Sequence, residues 1–444
     1  MVAIVDSVAL NGISAIIVNA EVTVSSGLPQ LTLIGLADRA CAESRERVLM
    51  ALKNTGIELV LKKIVVNLSP AELRKFGGKF DLAIALAIAA ASGFIPEDNM
   101  EGILFLGELS LSGRVRRVRG IFPMVLGALK KGYNKFVVPA ADRKKLGEIT
   151  GAEFAYVETL EEAVGQVLSG YQFAQNIPAA TGTEIRQTIN ARPLLDIKGQ
   201  PAAVRAATIA AAGRHHILLY GPPGVGKTML AKRIPFLLPE MSRSEYLETR
   251  ALYDIFSWNQ KTRAFINNRP FRAPHHSASD ISLVGGGSFP LPGEISLAHN
   301  GILFLDEFQE FKPSVLNMLR QPLQDKEIHL ARAAESTVFP ADFMLICAMN
   351  PCPCGNYLDR TKICTCSPYQ IRKHFSRITG PLLDRIDLQI EMTREGEEMQ
   401  KFVPSDVDRI ARSIEKAHQM QQERYHGTLF SSNTQVQAAD LDRY

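Results

Sequence analysis

The sequence predicts an α/β protein in two folded parts. Three observations carry that expectation. Over residues 1–168, short β-rich runs alternate with helical patterns. Across 169–192 the pattern lapses into a polar stretch, "SGYQFAQNIPAATGTEIRQTIN", which reads as a linker. From 193 onward helix, strand, glycine-rich turn and helix follow one another, the order of an α/β sheet.

In the first part, "SAIIVNAEVTV", "KKIVVNLSP" and "KFVVPA" read as strands. "ADRACAESRERVLMALKNTG" reads as an amphipathic helix closed by Gly56. The apolar run "DLAIALAIAAASGF" is shorter than the ~20 residues a membrane span needs, so it reads as a buried helix. The N-terminus lacks the basic start and cleavage site of a secretory signal, which points to the cytoplasm. Six cysteines in a chain of 444 residues suggest reduced thiols or a metal site, not a disulfide framework. A net charge of +4 neither requires nor excludes nucleic acid.

In the second part, "LLYGPPGVGKTMLAKR" runs from Leu218 to Arg233. Gly221, Gly226, Lys227 and Thr228 fit G-x-x-x-x-G-K-[ST], with Pro222, Pro223, Gly224 and Val225 between them. Such a loop turns successive N–H groups inward around phosphates. Lys227 would reach the β and γ phosphates of ATP, and the Thr228 hydroxyl would bind Mg²⁺. "TMLAKRIPFLL" should continue as a helix whose N-terminus faces the same anion. "GILFLDEF" is a buried strand ending in two carboxylates. Asp306 would hold Mg²⁺ and Glu307 would polarise the attacking water. A third strand, "DFMLICAMN", ends in Asn350, which either bonds the γ-phosphate or water, or simply turns the chain before Pro351. In "ITGPLLDRIDL", Arg385 is either an arginine finger for a neighbouring site or one member of a surface ion network with Asp384 and Asp387.

Cys352, Cys354, Cys364 and Cys366 form two close pairs separated by nine residues. They read as one structural tetrahedral zinc site, with reduced, uncoordinated thiols as the alternative. Cys347 and Cys41 read as packing. The pairs His215–His216 and His275–His276 read as packing or loop hydrogen bonding, because neighbours on a strand point apart. "EIHLARAAESTVFPADF" alternates like a hairpin, with Arg332 beside its turn as a DNA contact. Phe289, exposed on the glycine-rich loop "GGGSFPLPGE", is a second DNA candidate, against an ordinary surface loop. Arg114, Arg116, Arg117 and Arg119 read as a charge-guarded edge strand or as a phosphate track.

The phosphate loop, "ILFLDE", "AMNP" and "LLDRIDL", in this order, resemble AAA+ ATPases of the magnesium-chelatase branch. The long blocks 269–307 and 319–355 resemble the YifB/ComM family in particular. The resemblance implies a non-proteolytic Lon-protease-like α+β domain over 1–168 and a P-loop AAA+ domain over 193–395. It also implies a C-terminal helical lid beginning at 396 and incomplete at Tyr444. "KFGGKFDLAIA" stands where the Lon-type serine would be and holds no serine, and "GIFPMV" lacks the partner lysine. By resemblance Asn350 is a sensor and Arg385 the finger acting on an adjacent subunit of a ring of six. No residue matches the family's second sensing arginine. The function expected is an ATP-driven motor on branched or single-stranded DNA, active in branch migration or natural transformation, with no membrane. A chelatase-like or chaperone-like ATPase that remodels a protein partner is the alternative.

Overall fold

A computed structural model describes residues 2–35, 43–59, 62–175, 189–256, 268–287, 289–331, 336–378, 380–394, 401–428, 430 and 432–436. Contacts divide the chain into two units, Met1–Ile185 with Arg250–Thr262, and Arg186–Thr249 with Arg263–Tyr444.

The first unit is built on an eight-stranded mixed sheet. Its strands are β1 (Val2–Asn11), β2 (Ser14–Ser26), β3 (Gln30–Ile34), β4 (Lys62–Ser69), β5 (Ile103–Phe105), β6 (Lys135–Pro139), β7 (Glu153–Val157) and β8 (Ala174–Gln175). They lie in the order β8-β7-β6-β5-β1-β2-β4-β3. Across the sheet packs the helix Asp81–Ala91, every residue of which is buried. Its uninterrupted apolar run leaves no polar face for solvent, so the helix must be enclosed. The helix Ser44–Asn54 ends before Gly56, whose φ of +83° gives the chain its left-handed exit. Cys41 lies outside the described residues.

The arginine-rich "GRVRRVRG" forms less strand than expected. Val115–Arg116 pair with Glu108–Leu109, and Arg114 forms an isolated bridge with Thr159. Arg117 donates to Ala141 O and Arg119 donates twice to Ile255 O, so two of the four arginines are engaged by backbone carbonyls.

The second unit holds an all-parallel five-stranded sheet in the order β10-β11-β14-β9-β15. These are β9 (Ile217–Tyr220), β10 (Phe271–Arg272), β11 (Ile302–Leu305), β14 (Met344–Met349) and β15 (Leu388–Glu391). A separate antiparallel hairpin pairs β12 (Glu327–Ala331) with β13 (Ser336–Pro340). Parallel sheets are covered on both faces, and their strands read as continuous apolar runs. Accordingly β11 and β14 are buried throughout. One face is covered by the alanine-rich helix Pro201–Gly213 and by Val407 and Ile414 of the helix Pro404–Arg424. The other is covered by Phe308, Phe311, Val315, Leu316 and Leu319.

The helix expected after the glycine-rich loop is short. It runs Lys227–Ala231 and gives way to a 3₁₀ turn at Ile234–Leu237. Pro235 has no N–H and its ring clashes with the preceding turn, which stops the helix. Among the described residues no helix is long and apolar enough to cross a membrane.

Asp81 begins the buried helix of the first unit. Its carboxylate accepts from Arg47 Nε at 2.8 Å and from Leu109 N at 3.2 Å. Burial dominates over these bonds and raises its pKa to about 6. The unfolded group titrates near 4. A raised folded pKa means that protonation favours the folded state, so this group's contribution grows as pH falls from about 6 to about 4 and is lost as pH rises through about 6. Wild type is therefore expected to gain up to about 3 kcal/mol relative to Asp81→Asn on that descent. Urea midpoints across the range check this, and parallel pH profiles for the two proteins would contradict it.

Candidate nucleotide-binding site and cysteine cluster

Because the strands of the second unit are parallel, their carboxyl ends share one edge, where α/β sheets bind ligands. Gly221 follows β9, Asp306 and Glu307 follow β11, Asn350 follows β14, and Arg394 comes shortly after β15. The register sets Tyr220 beside both Met349 and Glu391, so these ends are level. The chain is crowded here. A Cβ on Gly221 would overlap the Met392 carbonyl, so only glycine fits. Gly224 and Gly226 have φ of +81° and +98° and turn the loop in the left-handed region. Val225 is buried and anchors the loop, while Pro223 is exposed.

The Lys227 side chain folds back under its own loop. Nζ donates to Gly221 O at 2.6 Å, Pro222 O at 2.9 Å and Asn350 Oδ1 at 3.1 Å. Burial lowers its pKa to about 8, against the opposing pull of Asp306. The Thr228 hydroxyl donates to Asp306 Oδ2 at 2.8 Å, and Glu307 N donates to Asp306 Oδ1 at 3.0 Å. A hydroxyl and a carboxylate held this close are a fitting donor pair for Mg²⁺. Glu307 takes a left-handed backbone, φ +51° and ψ +45°, which is uncommon outside glycine. Its carboxylate meets His276 Nδ1 at 3.1 Å.

That contact was not legible in the sequence. His275 and His276 lie on a loop, not a strand, and their ring centroids are 4.1 Å apart. They face each other where strand geometry would have turned them apart. His275 Nδ1 bonds Ser277 Oγ at 2.8 Å. His215 and His216 sit at the other end of the sheet. His216 Nδ1 accepts from Leu345 N at 3.0 Å, and burial lowers its pKa to about 4. His215 pairs with Asp387 at 3.4 Å.

Arg385 does not join the cluster. It precedes β15, whose first residue, Leu388, pairs with Ile217 at the amino end of β9. The four residues of β9 therefore separate it from the loop, ~13 Å along the sheet. Its guanidinium donates to Pro381 O at 2.7 Å and Gln324 Oε1 at 2.8 Å. The ion network with its neighbouring aspartates is not formed in these contacts, since Asp387 serves the histidine pair. Phe289 is half-buried, not exposed, because Gly285–Gly286 pair with Leu291–Pro292 and close its loop. Arg332 lies outside the described residues, although the hairpin that carries it is formed.

The four cysteines converge. The sulfurs of Cys352, Cys354, Cys364 and Cys366 all lie within 4.8 Å of one another. Cys352 Sγ is 3.3 Å from Cys354 Sγ and 3.7 Å from Cys364 Sγ. Zinc–sulfur bonds of ~2.3 Å set tetrahedral sulfurs ~3.8 Å apart, so the group fits a zinc ion. The backbone N–H groups of Asn356 and Thr365 hold the Cys354 thiol below the usual range, while the neighbouring Cys364 and Cys366 thiols are pushed up. Cys347 is buried inside β14, as packing requires.

Arg394 is a further residue the sequence reading missed. Its Nη2 donates to Pro223 O at 3.1 Å. The signal available was its position just past a strand, but β15 alternates half-buried and exposed residues and does not announce itself as part of a sheet.

Residues 193–400 match the family described as magnesium chelatase, subunit ChlI. Residues 20–142 match a second family, described as subunit ChlI of Mg-chelatase. Competence protein ComM of Haemophilus influenzae is 44% identical over 398 residues, 88% of this chain and 76% of that protein. The uncharacterised protein YifB of Escherichia coli is 42% identical over 389 residues, 88% and 75% of the two chains. Lon protease 2 of Bacillus subtilis is 28% identical over 194 residues, 38% of this chain and 34% of that one.

A polyphosphate beside Lys227 would favour the charged amine. Nucleotide affinity is therefore expected to fall as pH rises through about 8, with proton uptake on binding above that point. Calorimetric titrations in buffers of different ionisation heat read both effects. An affinity unchanged between about pH 7 and about pH 9.5 would contradict the assignment.

Proposed function

The chain belongs to the YifB/ComM family of magnesium-chelatase-like proteins, and from that premise we propose that it is an ATP-hydrolysing ring motor that moves DNA. One observation carries the reading: Lys227, Thr228, Asp306 and Asn350 are tied together at the carboxyl edge of the sheet, while Arg385 stands at the opposite edge.

In this reading the loop from Gly221 to Thr228 cradles the phosphates of ATP through its backbone N–H groups. Lys227 leaves the carbonyls of Gly221 and Pro222 and turns to the phosphates. Thr228 and Asp306 would hold Mg²⁺, which would supply neutralisation of charge on the phosphates. Glu307 orients and polarises the attacking water once it is free of His276. Asn350, released by Lys227, bonds the γ-phosphate or that water. Arg385 lies too far along the sheet to serve its own loop. It serves the loop of an adjacent subunit instead, which requires a closed ring, and six is the number we propose. The hairpin β12–β13 lines the pore and meets DNA with Arg332. The first unit is Lon-protease-like but non-proteolytic, because "KFGGKFDLAIA" offers no serine nucleophile. The name of one relative, competence protein ComM, supports a role in competence. A chelatase-like or chaperone-like ATPase that remodels a protein partner is the second reading, and the family description names a chelatase.

Branched DNA is expected to stimulate ATP turnover several-fold at low salt, with the stimulation falling as salt rises. No stimulation at low salt favours the remodelling reading. Lys227→Ala is expected to abolish turnover, and unchanged turnover would remove the mechanism altogether.

Arg385→Ala is expected to lower turnover by about a thousandfold or more. Mixing that variant with Lys227→Ala should restore part of the rate, because mixed rings pair an intact loop with an intact arginine. Mixed samples no faster than the separate variants would place the finger elsewhere.

A further inference from the structure

The cysteine loop is built against the nucleotide loop. Gly355, between the two cysteine pairs, is buried with φ +79°. A Cβ there would stand 2.7 Å and 2.8 Å from two carbons of the Pro223 ring. The two loops are therefore in close contact through glycine and proline. Arg394 makes a second link. Its Nη2 donates to Pro223 O at 3.1 Å, and its Nε lies 3.5 Å from Asp359 Oδ2, on a side chain with no exposed surface. Asp359 belongs to the segment between Cys354 and Cys364. Its other oxygen accepts from Thr361 N at 2.8 Å and Thr361 Oγ1 at 2.7 Å, which fixes the carboxylate within the loop. A third link runs through Asn350, two residues before Cys352. Its side chain accepts from Lys227, and its carbonyl bonds His374 Nε2 at 3.0 Å. His374 is buried on the helix Pro368–Phe375, which begins just past Cys366 behind a Ser367–Gln370 capping box.

Hydrogen bonds inside the loop and the Arg394–Asp359 pair hold part of this segment. Residues 351–367 form no helix or strand, and Ile363 is 89% exposed. Such a segment buries too little apolar surface to fix its own shape. Four thiolates bound to one ion would fix it, with no coordination position left open for chemistry.

We propose that zinc held by Cys352, Cys354, Cys364 and Cys366 makes the cysteine loop a wall of the nucleotide pocket, so that metal occupancy sets nucleotide affinity through Pro223, Arg394 and Asn350. The proposal rests on the nucleotide reading given above. It assigns Arg394 as a positioning residue that ties the metal loop to the phosphate loop.

The test uses the full chain, elemental analysis and a fluorescent ADP. Zinc-loaded wild type is expected to carry about one zinc per chain and to bind the probe. Chelation, or Cys364→Ser, should weaken probe binding about tenfold, and returning zinc to the chelated wild type should restore it. Arg394→Ala leaves all four thiolates in place, so it should keep its zinc and still bind the probe about tenfold more weakly, which guards against simple misfolding of the cysteine variant. Lys227→Ala should lose the probe and keep the zinc. A chain that neither contains nor takes up zinc overturns the proposal, as does stripped wild type that binds the probe as tightly as loaded wild type. If loaded wild type fails to bind the probe at all, the nucleotide reading falls and takes this proposal with it. The two failures are thereby told apart.

Discussion

A lysine ammonium buried beneath the carbonyls of its own loop is the contact on which the second unit's site depends. Taking an ammonium out of water is costly unless acceptors replace the lost hydration. Gly221 O, Pro222 O and Asn350 Oδ1 supply three, while burial still lowers the amine's pKa against the pull of Asp306. A charge held in this way is readily attracted to a stronger anion, and the glycines beside it let the loop re-form around one. The same bond brings the end of β14 to the loop after β9. Two strand ends distant in sequence therefore respond to one event.

The parallel sheet governs the remaining geometry. Every residue that follows a strand arrives at one edge, and every residue that precedes a strand arrives at the other. Asp306 and Asn350 fall in the first class and Arg385 in the second. The Thr228 hydroxyl bonds Asp306, while Glu307 is engaged by His276. In this conformation the carboxylate proposed to polarise water meets His276.

The first unit obeys a different constraint. Its central helix is apolar on every side, so charges near it must be paired or bonded inside the fold. Asp81 is held by Arg47, and Lys75 Nζ donates to Pro70 O. These charged residues lie in the stretch that resembles the Lon serine loop.

Much of the architecture could be read directly. Continuous apolar runs announced β11 and β14, and an eleven-residue run without a polar face announced the buried helix Asp81–Ala91. The phosphate loop and the paired cysteines were visible because their spacing is local and chemically unusual. Helix length after the loop was misjudged, because Pro235 outweighs the apolar pattern around it. Exposure of Phe289 was misjudged, because two short strand pairings close its loop. The contacts of His276 with Glu307 and of Arg394 with Pro223 could not be read at all. Sequence alone determined which groups are present and which strands they follow, since backbone periodicity and residue chemistry are local properties. Tertiary structure decided which of them meet, because the order of strands in a sheet sets distances between residues that no spacing along the chain encodes.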